Sequence, residues 1–175
     1  MEKKKVLTPK ELKRRAKNIR LVLTDVDGVL TDTGVYYSAD GEMMRRFSIR
    51  DGMGVELLRD DGVETAIITR EASSNVAQRS KKLKMPYMFL GIQDKKSYLK
   101  NILSETSLTM DQLGYIGDDV NDLEILQEIT KTGLTAAPGD AMPSIKKVVH
   151  LQCKAFGGHG AFRDFADWIL ALRKG

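Results

Sequence analysis

The chain has 175 residues, of which 42% are hydrophobic and 30% charged, an ordinary globular composition at a length that fits one domain with a full core. A single cysteine, Cys153, excludes a disulfide framework and a multi-cysteine metal site, and His150 and His159 lack the spaced partners of a zinc centre. No apolar run approaches the roughly 18 residues of a membrane span, and the charged N-terminus lacks the apolar stretch of a secretory signal. A cytoplasmic protein with no membrane partner is expected.

The net charge of +4 is uneven: the first 20 residues carry +7 and the rest −3. Thr8-Pro9 is a helix start signal, and Leu12, Ala16 and Ile19 follow at helical spacing. A basic amphipathic helix within residues 1–18 is expected to pack on the domain with its charged face in solvent. This accounts for the basic segment without a nucleic-acid partner.

The chain then alternates strand and helix patterns. Residues 21–23 form an apolar run. Two β-prone runs, 34–38 and 42–49, flank Asp40-Gly41, a hairpin signal. Residues 51–61 read as a helix stopped by Gly62, and 65–69 as a buried strand. Ser73 opens a helix to about residue 83, 87–90 is a strand, and Asp94 caps a helix to about residue 103. Residues 113–116 form a fourth strand, 122–129 a helix, 133–136 a short strand, 142–147 a helix and 148–151 a last strand. Phe162, Phe165, Trp168, Ile169 and Leu172 share a face of the closing helix. This order predicts a doubly wound parallel α/β sheet, Rossmann-like, with a hairpin insertion after the first strand.

Chemistry-bearing residues fall at strand ends. Asp25 and Asp27 are two apart after the first strand, and residues i and i+2 of a strand share a side. Such a pair could share a hard cation, divide nucleophile and acid/base roles, or be a polar turn before Gly28. Thr69 ends the second strand, Lys95 opens the helix after the third, and Asp118 and Asp119 follow the fourth, with Asp122 one turn on. In a doubly wound sheet these ends meet at one edge. The set suits phosphoryl transfer: Asp25 as nucleophile, Asp118 as a Mg²⁺ ligand, Thr69 as a donor to the phosphoryl group, and Lys95 as the cation that neutralises charge and keeps Asp25 ionised.

Asp25-Val26-Asp27-Gly28-Val29-Leu30-Thr31, Thr69, Lys95 and Gly117-Asp118-Asp119-Val120-Asn121-Asp122 together resemble the haloacid dehalogenase-like phosphatases. The resemblance implies an aspartyl-phosphate on Asp25 and acid/base work by Asp27. It implies Mg²⁺ held by Asp25, the Asp27 backbone carbonyl and Asp118, with Asp119 and Asp122 as supporting carboxylates. Asp32, the hairpin, Phe47-Ser48-Ile49-Arg50-Asp51-Gly52-Met53-Gly54 and Gly157-Gly158-His159-Gly160-Ala161-Phe162-Arg163 are similar to the capless 3-deoxy-D-manno-octulosonate 8-phosphate phosphatases. That branch implies a single domain over residues 1–175 and a homotetramer with hairpins at its centre (residues 34–49). It also implies a mobile glycine-rich segment, opening residues 157–175, that reaches into a neighbour's site.

One departure bears on substrate. The octulosonate branch usually follows the strand-end Thr with Gly-Arg-x-Ser; this chain has Thr69-Arg70-Glu71-Ala72-Ser73. Glu71 with Arg79 and Lys82 resembles the nine-carbon branch, the 9-phosphate phosphatases of ketodeoxynonulosonate and sialic-acid-like sugars. There Arg79 and Lys82 would hold a substrate carboxylate and Glu71 would accept from a hydroxyl or amine, alongside Asp32. The alternative for Arg79 and Lys82 is the solvated face of a helix. The expected substrate is therefore a phosphorylated 3-deoxy-2-ulosonic acid of open chain length. Two other classes compete. A response-regulator-like receiver fails on the order of its acidic residues. A non-catalytic tetramerisation or regulatory module, related to the C-terminal domain of acylneuraminate cytidylyltransferases, is opposed by the retention of both Asp25 and Asp27. His150 is expected to be structural and Cys153 to be an inert thiol, while for His159 on the glycine-rich segment both substrate contact and no such role stay open.

Overall fold

The computed structural model describes residues 7–175, so the first six residues of the expected basic segment lie outside it. Helix α1 (Pro9–Asn18) leads into β1 (Leu21–Thr24), followed by the hairpin β2 (Val35–Ser38) and β3 (Gly41–Arg45). Then come α2 (Ile49–Asp60), β4 (Glu64–Ile68), α3 (Ser74–Lys82), β5 (Tyr87–Phe89), α4 (Lys95–Thr106) and β6 (Leu113–Ile116). The chain closes with α5 (Leu123–Thr130), β7 (Leu134–Ala137), α6 (Pro143–Lys146), β8 (Leu151–Gln152) and α7 (Ala161–Lys174).

The six-stranded sheet has the order β5-β4-β1-β6-β7-β8 and every pairing is parallel. β1 is central, and it is buried at all four positions because helices cover both faces. Its side chains divide by pleat. Val22 joins one core with Ala16, Val55, Phe162, Phe165 and Ile169, while Leu21 and Leu23 join the other with Leu99, Ile102, Ile125 and Ile129. The chain leaves β1 toward β4 and β5, then crosses to β6, β7 and β8. The C-terminal ends of β4, β1 and β6 therefore flank the point where winding reverses, where such sheets bind ligands.

Several boundaries move from the sequence expectation. The second hairpin strand ends at Arg45 and α2 begins at Ile49, because the Ser48 hydroxyl accepts from the Arg50 and Asp51 amides and caps the helix early. The last strand shrinks to Leu151–Gln152, with His150 before it accepting from the Thr135 amide. The Gly157–Gly160 segment is seated against its own chain rather than extended. A Cβ on Gly157 would lie 2.1 Å from the Gly28 carbonyl oxygen, and the Gly158 amide donates to the Val29 carbonyl at 2.9 Å.

Helix α1 forms as its pattern predicts, with the Thr8 hydroxyl capping the Glu11 amide. Its basic face is only partly solvated. Arg15 is 8% exposed and donates to the carbonyls of Thr130, Lys131 and Gly133, the orphan acceptors beyond α5, and to Glu11. Arg15→Met keeps the aliphatic stem and strands these acceptors. It is expected to cost on the order of 2–3 kcal/mol in urea unfolding near neutral pH, whereas Arg14→Met, on the exposed side, should leave the unfolding midpoint nearly unchanged.

Candidate active site

Three loops at the C-terminal sheet edge, after β1, β4 and β6, build one cleft of about 220 Å³, lined by Asp25, Asp27, Thr33, Thr69, Arg70, Glu71, Asp118, Asp119 and Asn121. Asp25 directly follows β1, and its amide continues the ladder to the Ile116 carbonyl. Its carboxylate Oδ1 accepts from the Val26 amide at 2.8 Å and from Lys95 Nζ at 2.9 Å. Both bonds fall on one oxygen, which leaves Oδ2 for the cleft. Lys95, at the start of α4, is 2% exposed and also donates to Asp122 Oδ1 at 2.6 Å. Asp122 is fully buried and spent on protein: it accepts from Lys95, from the Tyr115 hydroxyl at 2.6 Å and from the Asp118 amide at 2.9 Å.

Asp27 does not continue the strand that Asp25 directly follows. β1 ends at Thr24, and Asp27 stands in the following turn, where Gly28 has φ +84°. That turn needs glycine twice over, since a Cβ at Gly28 would fall 2.0 Å from Asp118 Oδ2. The turn still brings both carboxylates to the cleft. Thr69 is buried at its floor, and its hydroxyl accepts from the Glu71 amide at 3.3 Å. Asp119 caps the short turn Val120–Asp122 through the Val120 amide. Thr33, which the sequence reading passed over, lines the cleft at φ +66°, an uncommon conformation for a β-branched residue.

The expected substrate residues divide. Glu71 is exposed on the cleft wall beside Arg70, whose guanidinium is tethered to Gln93 Oε1 at 3.0 and 3.2 Å. Asp32 pairs instead with Arg46 at 3.2 Å and caps the Gly34 amide. Arg79 packs under α2: it donates to the Ser48 carbonyl at 2.7 Å and lies 5.6 Å from the Phe47 ring centre. Lys82 is exposed at the end of α3, and neither Arg79 nor Lys82 lines the cleft. His159 is exposed and bonds the Gly157 carbonyl through Nδ1. Cys153 is buried and its thiol is pushed up to about 12, chiefly by burial, as an inert thiol requires.

The electrostatics call for a cation. Burial, then the Asp122 charge, push Asp25 up to about 7 against the pull of Lys95. Burial and the charges of Asp25 and Asp122 push Asp118 up to about 8. Burial opposes the Lys95 charge, but Asp25 and Asp122 outweigh it and hold the ammonium above its usual value. Asp118 Oδ1 is buried with no hydrogen-bond partner among the described residues. Asp25, Asp118 and Asp122 each place an oxygen within 4.8 Å of the others. Because Asp122 is already saturated, Asp25 and Asp118 are the pair left to hold a divalent ion, within the one or two carboxylates that hard cations of the Mg²⁺ type use. The Asp27 carbonyl accepts no hydrogen bond among the described residues, so it is free to join them.

In the metal-free chain these two carboxyls bind protons more tightly folded than unfolded, where they titrate near 3.8. Their contribution to stability is full below about pH 4 and is lost as pH rises through about 7 to 8. Protein treated with chelator should therefore melt at progressively lower temperature from pH 5 to pH 8.5. Added divalent metal should reverse that slope, and Asp118→Asn should flatten it. A chelated protein whose melting temperature is constant across this range would contradict the carboxylate assignment.

No protein-family model matches the chain. It is 35% identical over 159 residues to the 3-deoxy-D-manno-octulosonate 8-phosphate phosphatase KdsC of Haemophilus influenzae, covering 91% of this chain and 87% of the relative. The cobalt-bound structure of a deoxy-D-mannose-octulosonate 8-phosphate phosphatase from H. influenzae superposes with a TM-score of 0.86 at 34% identity, over 91% of this chain and 92% of that one. A 3-deoxy-D-manno-octulosonate 8-phosphate phosphatase from Moraxella catarrhalis, in complex with magnesium ion, phosphate ion and a KDO molecule, gives 0.87 at 30% identity over 94% and 92%. With the strand-end carboxylates, the buried lysine and the hairpin in place, the chain belongs to the 3-deoxy-D-manno-octulosonate 8-phosphate phosphatase family of haloacid dehalogenase-like phosphatases.

Proposed function

We propose that the chain is a Mg²⁺-dependent phosphatase that removes the terminal phosphate of 3-deoxy-D-manno-octulosonate 8-phosphate through an aspartyl-phosphate on Asp25. The observation that carries this is the division of labour on Asp25: Oδ1 is fixed by Lys95 and the Val26 amide, and the other oxygen is left to the cleft. Asp25 attacks phosphorus in line, the P–O bond to the sugar breaks, and its electron pair leaves on the sugar oxygen, which takes a proton from Asp27. Water then attacks the aspartyl phosphate and gives a proton to Asp27, and the P–O bond to Asp25 breaks to release phosphate. Thr69 donates to the phosphoryl oxygens and Lys95 holds Asp25 ionised and in place. Mg²⁺ held by Asp25, the Asp27 carbonyl and Asp118, with Asp119 and Asp122 in support, would neutralise phosphoryl charge. Arg70 is the cation on the cleft wall that faces the substrate's anionic groups.

A second substrate reading has one observation in its favour. Glu71 lines the cleft where the octulosonate branch carries a cation, so a nine-carbon sugar 9-phosphate is the competitor. The protein works as a single-domain homotetramer in the cytoplasm, with residues 34–49 at the tetramer centre. Support comes from Tyr36, Tyr37, Met43 and Met44, large apolar side chains that are half or more exposed on β2 and β3. No helix among the described residues is long and apolar enough to cross a membrane.

Phosphate release with Mg²⁺ should be fastest on octulosonate 8-phosphate when compared in parallel with ketodeoxynonulosonate 9-phosphate and N-acetylneuraminate 9-phosphate. Preference for either nine-carbon substrate would instead assign Glu71 to specificity. Asp25→Asn should lower turnover by more than about 1,000-fold in protein that remains folded by circular dichroism; residual activity above a few percent would remove Asp25 as the nucleophile.

A further inference from the structure

Arg45 is a hairpin residue that the fold does not leave on the surface. It lies at the end of β3, yet its side chain is only 2% exposed. Its Nη1 donates to both carboxylate oxygens of Asp27, at 2.5 and 2.6 Å. Its Nη2 donates to Glu42 Oε2 at 2.9 Å. Glu42 is in turn held at its other oxygen by the Ser73 hydroxyl at 2.5 Å and the Asn75 amide at 2.9 Å. The Arg45 bond, helped by these two donors and opposed by burial, leaves Glu42 lowered to about 2, a firm anion behind the guanidinium.

The chain of contacts runs in one direction, from the N-terminal turn of α3, through Glu42 and Arg45, to Asp27 at the cleft. Asp27 itself stands on a glycine-containing turn with its side chain 31% exposed, and its one other side-chain hydrogen bond among the described residues is a long 3.4 Å approach by the Thr31 hydroxyl. Without Arg45 its carboxylate would have no firm partner and several rotamers open to it. A guanidinium is suited to this work because it is always charged and presents donors in a fixed plane.

We infer that Arg45 is a positioning residue for catalysis: it aims the Asp27 carboxyl at the ester oxygen and holds the anion between the two proton transfers. Nη1 bridges both oxygens of one carboxylate, which leaves each oxygen further lone pairs for a proton. As Asp27 gives its proton to the departing sugar oxygen, Arg45 keeps the new carboxylate in place for the water that follows. The inference rests on the acid/base assignment of Asp27.

The decisive readout is leaving-group dependence in the first turnover. A sugar alkoxide needs a proton to leave, and the para-nitrophenolate of para-nitrophenyl phosphate does not. Arg45→Met should slow the first turnover of the sugar-acid phosphate about 100-fold, within the range of a general acid, and that of para-nitrophenyl phosphate by less than about threefold. Arg45→Lys should recover about tenfold of that loss, since it restores one charged donor. Asp27→Asn/Arg45→Met should be no slower than Asp27→Asn alone, because Arg45 acts only through Asp27. Equal losses on both substrates with Arg45→Lys, the variant that keeps the charge and the fold, would make Arg45 a structural anchor and overturn the inference. So would losses that multiply in the double variant. If Asp27→Asn alone fails to separate the two substrates, the acid/base assignment falls and the inference with it.

Discussion

The ammonium of Lys95 is the group on which the rest of the site depends. It lies out of water between two carboxylates, 2.9 Å from Asp25 and 2.6 Å from Asp122. A charge buried this deeply is tolerated only when paired and hydrogen-bonded, so removing either carboxylate leaves a costly orphan. The pairing fixes geometry as well as charge. Asp25 is held at one oxygen, and Asp122 anchors the loop that carries Asp118 through the Asp118 amide. The ends of β1, β5 and β6 are thereby locked into one arrangement before any substrate arrives, which is the preorganisation that phosphoryl transfer requires.

That arrangement leaves an excess of negative charge facing solvent. The cleft presents Asp25, Asp27, Asp118, Asp119 and Glu71, against Arg70 on its wall. A phosphate dianion would be repelled by such a surface. A divalent ion held by Asp25 and Asp118 would offset that negative charge, and it would supply the partner that the buried Asp118 oxygen lacks among the described residues. Lys95 and such an ion would divide the work on Asp25: Lys95 fixes Oδ1, and the ion would neutralise phosphoryl charge.

The sheet was readable from sequence because its signals are local. Apolar runs at 21–23, 65–68 and 113–116, each followed by Asp or Thr, place the chemistry at strand ends, and the four main site positions follow from order alone. What escaped was tertiary. Asp27 was placed beside Asp25 by strand periodicity, but the strand stops at Thr24 and a glycine turn carries Asp27 instead. Arg45 carries no signal in the sequence, because nothing local announces that Glu42 and Asp27 will close over it. Arg15 was hidden in a basic run in the same way, since its acceptors lie 115 or more residues away. Arg79 and Lys82 have suitable spacing for a ligand pair, but α3 turns Arg79 toward Phe47 and leaves Lys82 in solvent, away from the cleft of their own chain.

The proposed aspartyl-phosphate on Asp25 is tested most directly by an acid-quenched single turnover with substrate labelled at phosphorus. A transient label on protein, labile to hydroxylamine, should map to the peptide containing Asp25 and be absent from Asp25→Asn. A complete turnover with no label on protein at any quench time, or a label on a peptide without Asp25, would contradict it.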